Sequence, residues 1–288
     1  MKAAISGGKG FIGSEVSKLL VNMGYEIVSL SRNDLYGHPE DLCKKLNKTS
    51  LIIHLAGAPI IGRWTQKYQH KIYESRIETT RNLVRAMHLT TEKPGIFICA
   101  SGVGVYPSEG IYSEKETKIA DTFLGKVCRD WELEAANAPS GTRVLNFRFG
   151  IVLGSNGGAL PTLVLPFRFF AGGRIASGKQ MVSWVHIQDL KNIFRFVIEN
   201  QFVNGPVNIV APQVVTNTVL TKTLAKTLNR PAWLQVPAFI LKIALGKGAM
   251  VLTQGQAAIP KKLSEAGYQF GFPELSKALE DLLKKGTT

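Results

Sequence analysis

Three glycines, Gly7, Gly10 and Gly13, recur at every third position directly after the apolar run Ala3 to Ser6. This arrangement can bind a diphosphate. Gly7 allows a tight exit from a strand, Gly10 lets the backbone approach a pyrophosphate with no Cβ in the way, and Gly13 lets a following helix pack close to its sheet. The phosphates then rest on unpaired N–H groups at the positive end of that helix. The spacing is G-x-x-G-x-x-G rather than G-x-G-x-x-G, and an ordinary strand-to-helix turn is the competing reading. The flanks favour the ligand. Phe11, Ile12, Val16, Leu19, Leu20 and Met23 follow helical spacing, Gly24 offers a left-handed cap, and a second apolar run spans Tyr25 to Leu30.

The second run ends at Ser31-Arg32, with no acid before Asp34. An acid here grips the ribose 2′-OH of NAD, whereas an Arg accommodates the 2′-phosphate of NADP. Ser31 and Arg32 therefore favour NADP(H) over NAD(H), against the reading of Arg32 as a solvated loop charge. A third run, Leu51 to Leu55, opens onto Ala56-Gly57-Ala58-Pro59, whose small side chains let a cofactor lie across the sheet edge. His54 within it reads as a core histidine.

The elements that must position these residues alternate. Strands are expected at Ile96 to Ala100 and Thr142 to Val152, and helices at Pro39 to Leu46, Tyr68 to Met87 and Asp121 to Asn137. Between Asn33 and Ser50 a usual third strand and crossover helix hardly fit. Strand and helix in alternation argue an α/β fold, a Rossmann-like doubly wound parallel sheet. After Gly154 the pattern changes. A glycine loop (Gly154 to Gly158) and an apolar helix (Leu160 to Phe170) come first, then short strands at Ile175 to Ser177 and Val182 to His186. Helices at Asp189 to Asn200, Thr218 to Leu228, Pro237 to Leu245 and Glu274 to Lys285 surround a strand at Gly205 to Ile209. Residues 1–153 form the dinucleotide-binding domain, to which 185–211 return. Residues 154–184 and 212–288 form a smaller C-terminal substrate lobe, with 235–285 as its terminal module.

Bulk properties narrow the classes. The chain has 288 residues, 45% of them hydrophobic and 19% charged, typical of a globular protein with a large core. No run is long and apolar enough to span a membrane, and the N-terminus begins directly on a core strand. Cys43, Cys99 and Cys128 are an odd, scattered set without C-x-x-C, which argues a reducing compartment, neither disulfide framework nor zinc site, and a cytoplasmic location. The net charge of +14 is spread along the chain with no basic run interleaved with aromatics, so no nucleic-acid partner is expected.

The motifs GGKGFIG (7–13), HLAGAP (54–59), ASGVGVY (100–106), RFGIVLG (148–154) and SWVHIQDL (183–190) resemble the extended short-chain dehydrogenase/reductases, the NAD-dependent epimerase/dehydratase family. Arg63-Trp64, Ser75-Arg76-Ile77, Asp130-Trp131-Glu132, Gly157 to Leu160, Asn208 to Pro212 and Pro260 to Leu263 are similar to its atypical SDR39U1-like, YfcH-like branch, which carries a C-terminal domain of unknown function. The resemblance spans the whole chain. It implies a cofactor site formed by Gly7, Gly10, Phe11, Ile12, Gly13, Ser31, Arg32, Leu55, Ala56, Gly57, Arg76, Ala100, Ser101, Phe149 and Ile151. It implies a substrate pocket including Gln180, Trp184 and His186, no metal, and an unknown small-molecule substrate. It also admits a homodimer, since many relatives pair through a four-helix face.

The family's proton relay is not matched. It needs a Tyr and, four residues on, a Lys, plus a Ser or Thr; the Tyr exchanges a proton with substrate and the Lys lowers its pKa. Counted back from Trp131-Glu132, those positions hold Leu124 and Cys128, and the Ser/Thr position holds Gly102 with Ser101 beside it. Cys128 reads either as a thiol facing the nicotinamide or as a small residue filling the room left by Lys. Tyr106, Tyr112, Ser101 and His186 are the displaced acid/base candidates, and Gln180 and Arg148 could hold a substrate. Two functions stand: an NADP(H)-dependent oxidoreductase or epimerase-like enzyme, favoured by the retained lobe, and a non-catalytic NADP(H) redox sensor or cell-division-related scaffold, favoured by the lost relay.

Overall fold

Residues 1–284 are described by a computed structural model of the chain. Its first strand, β1 (Lys2–Ser6), shows how the sheet is buried. Ala3 and Ile5 point to one core and Ala4 to the other, and all three are at most 1% exposed. The same alternation puts Leu51 and Ile53 on one face of β3 (Thr49–His54) and Ile52 on the other, after β2 (Glu26–Leu30). Strands buried on both faces read as continuous apolar runs, and they need a layer on each side.

Those layers are α1 (Phe11–Asn22) on one face, and α3 (Pro39–Leu46), α4 (Gln66–Leu89) and α5 (Phe123–Ala136) on the other. The short α2 (Arg32–Tyr36) precedes α3. The remaining sheet strands are β4 (Ile96–Gly102) and β5 (Arg143–Phe149). The chain then enters the lobe through β6 (Ile151–Gly154) and β7 (Trp184–His186), and returns by α6 (Ile187–Glu199) and β8 (Gly205–Ile209). All neighbours in the sheet are parallel, in the order β8-β5-β4-β3-β1-β2. The fold is thus α/β, a doubly wound Rossmann-like sheet with further small strand and helix elements towards the C-terminus.

Three differences from the expected elements have clear causes. No strand lies between β2 and β3, because α2 and α3 fill that interval and leave β2 at the sheet edge. The single strand expected over Thr142 to Val152 breaks at Gly150 into β5 and β6. A Cβ at Gly150 would lie 2.5 Å from the Ser183 carbonyl oxygen and 2.9 Å from Val210, so only glycine lets the chain squeeze past and switch partners from β8 to β7. The segment Val182 to His186 likewise divides into Met181–Val182 and β7, and the strand expected at Ile175 to Ser177 is Gly173–Ile175. The terminal helix runs Leu275–Lys284; Lys285, placed in it by periodicity, lies outside the described residues.

The lobe packs its own core from Leu160, Val164, Phe167, Leu220, Leu224 and Leu279. It is stitched to the sheet at several points. Ala257–Ala258 pairs with Ile111–Tyr112. The fully buried carboxylate of Asp189 on α6 accepts from the backbone N–H of Gly271 and of Phe272, each at 2.8 Å, and from the Tyr268 hydroxyl at 3.2 Å.

One strand in from the sheet edge, Phe147 on β5 is fully buried with its ring 4.8 Å from that of Phe194 on α6. Phe147→Ala leaves a cavity that this two-sided packing cannot collapse, and is expected to cost about 3–5 kcal/mol. Urea denaturation checks it; a loss below about 1 kcal/mol would mean that α6 is not held by this contact.

Candidate active site

The site forms at the C-terminal ends of the parallel strands. The chain leaves β1 for β2 on one side and returns to β3 on the other, so a crevice opens between β1 and β3, where ligands bind in open α/β sheets. Gly7 follows β1 with φ of +71°, a left-handed conformation that favours glycine, and a Cβ there would sit 2.9 Å from the Leu55 carbonyl carbon. A Cβ at Gly13 would collide with the Gly7 carbonyl oxygen. Gly10 caps α1 with no side-chain hydrogen bond, and so leaves the first N–H groups of the helix for a ligand. Phe11 turns away and docks on the glycine loop, where side chains at Gly154, Gly157 or Gly158 would run into its ring.

Beneath this crevice, the Ser6 hydroxyl accepts from the backbone N–H of Leu55 at 3.1 Å and of Ala56 at 3.2 Å, and lies 2.6 Å from His54 Nδ1. Accepting twice, Ser6 donates its own proton, so Nδ1 is the acceptor and Nε2 carries the hydrogen towards Thr79 Oγ1 at 3.3 Å. His54 is therefore a neutral brace for the β3 exit. Burial, with the Arg76 charge adding to it, pushes its pKa down to about 3.

A cavity of about 1170 Å³ runs along the crevice, with Gly7, Lys9, Ser31, Arg32, Ala56 and Gly57 in its wall. Ser31 starts α2 in a capping box: its hydroxyl accepts from Asp34 N–H, and Asp34 Oδ2 accepts from Ser31 N–H at 2.7 Å. The other oxygen of Asp34 accepts from Lys45 at 2.6 Å. The nearest carboxylate to the end of β2 is thus engaged, while Arg32 stays exposed with its guanidinium 5.5 Å from the Tyr36 ring centre. Lys9 and Lys71 add charge to the same wall. Sequence reasoning passed over both, although a Lys inside the glycine turn was a visible signal.

A second chamber, about 330 Å³, lies between the sheet and the lobe. Arg76, Ser101, Phe149, Ile151 and Gln180 line it, as do both relay positions, Leu124 and Cys128. Register explains its floor. Ser101, Arg148 and Asn208 are direct neighbours across β4, β5 and β8. Glu132, one turn beyond Cys128 on α5, reaches this row. It accepts from Ser101 Oγ at 2.6 Å and is held by Arg148 Nε at 2.8 Å and Nη2 at 2.7 Å. Arg148 also donates to the Tyr106 hydroxyl at 2.8 Å, which donates to Asn208 Oδ1 at 2.9 Å. Burial alone would lower the Arg148 pKa, but hydrogen bonds and charge from Glu132 raise it overall. Glu132 was not among the expected site residues; its four-residue spacing from Cys128 was the available clue.

The remaining expected residues fall elsewhere or are already occupied. His186 and Trp184 belong to the lobe core rather than the chamber. His186 is 2% exposed, accepts from Gln188 N–H at the start of α6, stacks 3.8 Å from the Phe272 ring and has Asp281 at 3.4 Å. Trp184 is fully buried. Ala100 is packed into a core, and Leu55 and Ile12 are partly buried against the cores. Tyr106 is buried, which raises its pKa, and its proton goes to Asn208 and the Ser113 carbonyl. Tyr112 stacks on Tyr106 and donates to Glu109 O. Burial pushes the Cys128 thiol up to about 11, so it is a protonated space-filler at neutral pH. Arg76 stacks over Trp131 at 5.1 Å and donates to Ile72 O and Ala58 O, each at 3.0 Å. Among the described residues, no group of three or more His, Cys, Asp or Glu side chains is placed to hold a metal.

A glycine turn, an uncapped helix start and a crevice at the strand ends define a dinucleotide-binding α/β protein. Residues 3–210 match the NAD dependent epimerase/dehydratase family and residues 236–282 match a domain of unknown function, DUF1731. The chain belongs to that epimerase/dehydratase family. It is 36% identical to the epimerase family protein YfhF of Bacillus subtilis over 98% of both chains. It is 35% identical to the mouse epimerase family protein SDR39U1, covering 98% of this chain and 100% of that one. The crystal structure of human SDR39U1 (isoform 2) with NADPH superposes with a TM-score of 0.91 at 33% identity, covering 99% of each chain.

His54 makes stability depend on pH. Its folded pKa lies below the unfolded value near 6.5, so the unfolded chain binds the extra proton and stability falls as pH drops from about 6.5 towards 3. Between pH 7 and pH 5 this group alone is expected to remove about 2 kcal/mol. Urea titrations of wild type and His54→Gln should show the variant losing less over that interval; equal slopes would mean that His54 is charged in the fold.

Proposed function

We propose that this chain is an NADP(H)-dependent oxidoreductase acting on a small molecule held in the chamber between sheet and lobe. The observation that carries the cofactor choice is the end of β2. Arg32 is exposed in the crevice wall with Lys9 nearby, while Asp34 is tied to Ser31 and Lys45. Basic side chains and no free acid suit a 2′-phosphate. The human relative's complex with NADPH supports the same choice. The cradle fits a dinucleotide, because the tight glycine turn opens the uncapped start of α1 onto the crevice. Gly7, Gly10 and the start of α1 would hold the diphosphate, Ser31 and Arg32 the 2′-phosphate, and Ala56 and Gly57 the adjoining backbone. The cofactor supplies hydride exchange with a substrate carbon.

The protein's part is placement and the proton. Ser101 is the hydroxyl of the chamber floor, and its hydrogen is donated to Glu132. Its oxygen can therefore accept a proton from a substrate hydroxyl while its own proton passes to Glu132; reduction runs this path in reverse. Arg148 steadies Glu132 from the other side. This route takes the place of the Tyr and Lys that Leu124 and Cys128 have displaced. The same displacement is what favours a second reading, a non-catalytic NADP(H) sensor.

No helix among the described residues is long and apolar enough to cross a membrane. The proposed setting is cytoplasmic, supported by the free cysteines Cys43, Cys99 and Cys128. It requires no nucleic-acid partner, and a homodimer is compatible with it.

Arg32→Asp is expected to weaken NADPH by about 10- to 100-fold and NADH by no more than about threefold. Equal losses in a binding titration would remove Arg32 from the 2′-phosphate site. In an alcohol and carbonyl screen followed by NADPH absorbance, Ser101→Ala should lower turnover by about 100-fold with NADPH affinity kept, and His186→Asn should leave turnover within about threefold. Unchanged turnover in the Ser101 variant would exclude the proton route, and an inert wild type across the screen would favour the sensor.

A further inference from the structure

The lobe carries an apolar surface that lines neither the crevice nor the chamber. In the helix Ala238–Leu245 every residue but Lys242 is apolar, and none is buried. Phe239, Ile240 and Ile243 share one side of it and are exposed. The chain reaches this helix from a ribbon in which Leu234–Val236 pairs in parallel with Gly173–Ile175. At the other end of the ribbon, Leu234 N–H donates to Gly172 O at 3.3 Å. That contact brings Trp233 beside the segment holding the exposed Phe169 and Phe170. Trp233 is 73% exposed, whereas Trp64, Trp131 and Trp184, the other tryptophans of the chain, are buried. Single exposed apolar side chains are ordinary, but a set grouped on one ribbon and its helix marks an interaction surface.

The charge around this surface selects the partner. Residues 155–188 and 200–264, which include most of the lobe, contain ten Lys and Arg and no Asp or Glu. Arg230 lies over the Phe170 ring at 4.8 Å, Arg168 directly precedes Phe169, and Lys242 and Lys247 lie within and just beyond the helix. The acids further along pair elsewhere, Glu265 with Lys115 and Glu274 with Lys277. A second copy of this face would set like charges against each other. Ile240 and Ile243 offer a nucleic-acid base nothing to stack on. An anionic bilayer suits both parts: apolar side chains enter the headgroup boundary, while Lys and Arg meet the lipid charge.

We infer that this face of the lobe docks on a membrane surface containing anionic lipid. Trp233, Phe239 and Ile243 enter the headgroup boundary, and Arg230 and Lys242 meet its charge. The attachment is peripheral and needs no spanning helix. It depends on neither the cofactor nor the chamber.

Trp233 supplies the readout. The full-length protein is mixed with vesicles of phosphatidylcholine alone, or with about 30% phosphatidylglycerol added. Flotation should show binding at least about tenfold tighter to the anionic vesicles, weakening about tenfold between roughly 0.1 and 0.5 M salt. Tryptophan emission should shift to the blue on binding, and Trp233→Phe should abolish the shift while binding stays within about threefold. Phe239→Ser combined with Ile243→Ser, both at exposed positions, should weaken binding by about tenfold with the thermal midpoint unchanged. No binding to anionic vesicles, or equal binding to both kinds, overturns the proposal, and so does an emission shift that survives Trp233→Phe. A dimer abolished by the same double substitution would overturn it in favour of a second copy. A polyuridine oligonucleotide bound as tightly as the anionic vesicles would overturn it in favour of nucleic acid.

Discussion

The ion pair between Arg148 and Glu132 organises the region around the chamber. Both side chains are largely buried, at 10% and 13% exposure, and two charges removed from water are costly unless their geometry and remaining hydrogen bonds are satisfied. Here they are: two guanidinium nitrogens meet the two carboxylate oxygens, Ser101 adds a donor to Glu132, and Tyr106 accepts from Arg148. The pair joins β5 to α5, and its neighbours carry the connection further. Tyr106 leads to Asn208 on β8, Asn208 N–H donates to Glu114, and Glu114 accepts from the backbone of Lys262 in the terminal module. One charged contact thus aligns three strands, a helix and the last segment of the chain.

The crevice and the chamber are built in different ways. The crevice over β1 and β3 is made of backbone: glycines that allow close approach, N–H groups at a helix start, and His54 kept neutral beneath them. It suits a ligand whose charge is spread over phosphates. The chamber is made largely of apolar side chains, with polar groups such as Ser101, Asn217, Gln254 and Gln256 among them. Leu124 and Cys128 fit this division, since both enlarge the apolar surface exactly where a charged Lys would have broken it.

Much of this was readable from residue patterns. The glycine turn, the doubly buried strands and α1, α4 and α5 are local features, set by spacing within a dozen residues or so. What escaped depends on partners far along the chain. RFGIV reads as one uninterrupted strand, and only Ser183 and Val210 pressing on Gly150 reveal the break. His186 and Trp184 sit beside chamber residues in the chain, but Phe272 and Asp281, some ninety residues on, draw His186 into the lobe core. Glu132 stood in the sequence only as the end of the Asp130-Trp131-Glu132 motif, and register is what places Arg148 against it. Gln180 was recognised as a polar group of the pocket, while its amide nitrogen proves to be spent on the backbone carbonyls of Ile175 and, seventy-two residues on, Leu252.

The position of β8 bears on how the chain assembles during synthesis. Five of the six parallel strands have been translated once Phe149 is complete, yet the partner that covers the outer edge of β5 arrives only with Gly205–Ile209. Until then the ribosome carries a nascent sheet with an open apolar edge and with Phe147 lacking α6 above it. Such an edge invites pairing with other chains. The interval between β5 and β8 is the stretch in which a chaperone would have most to protect.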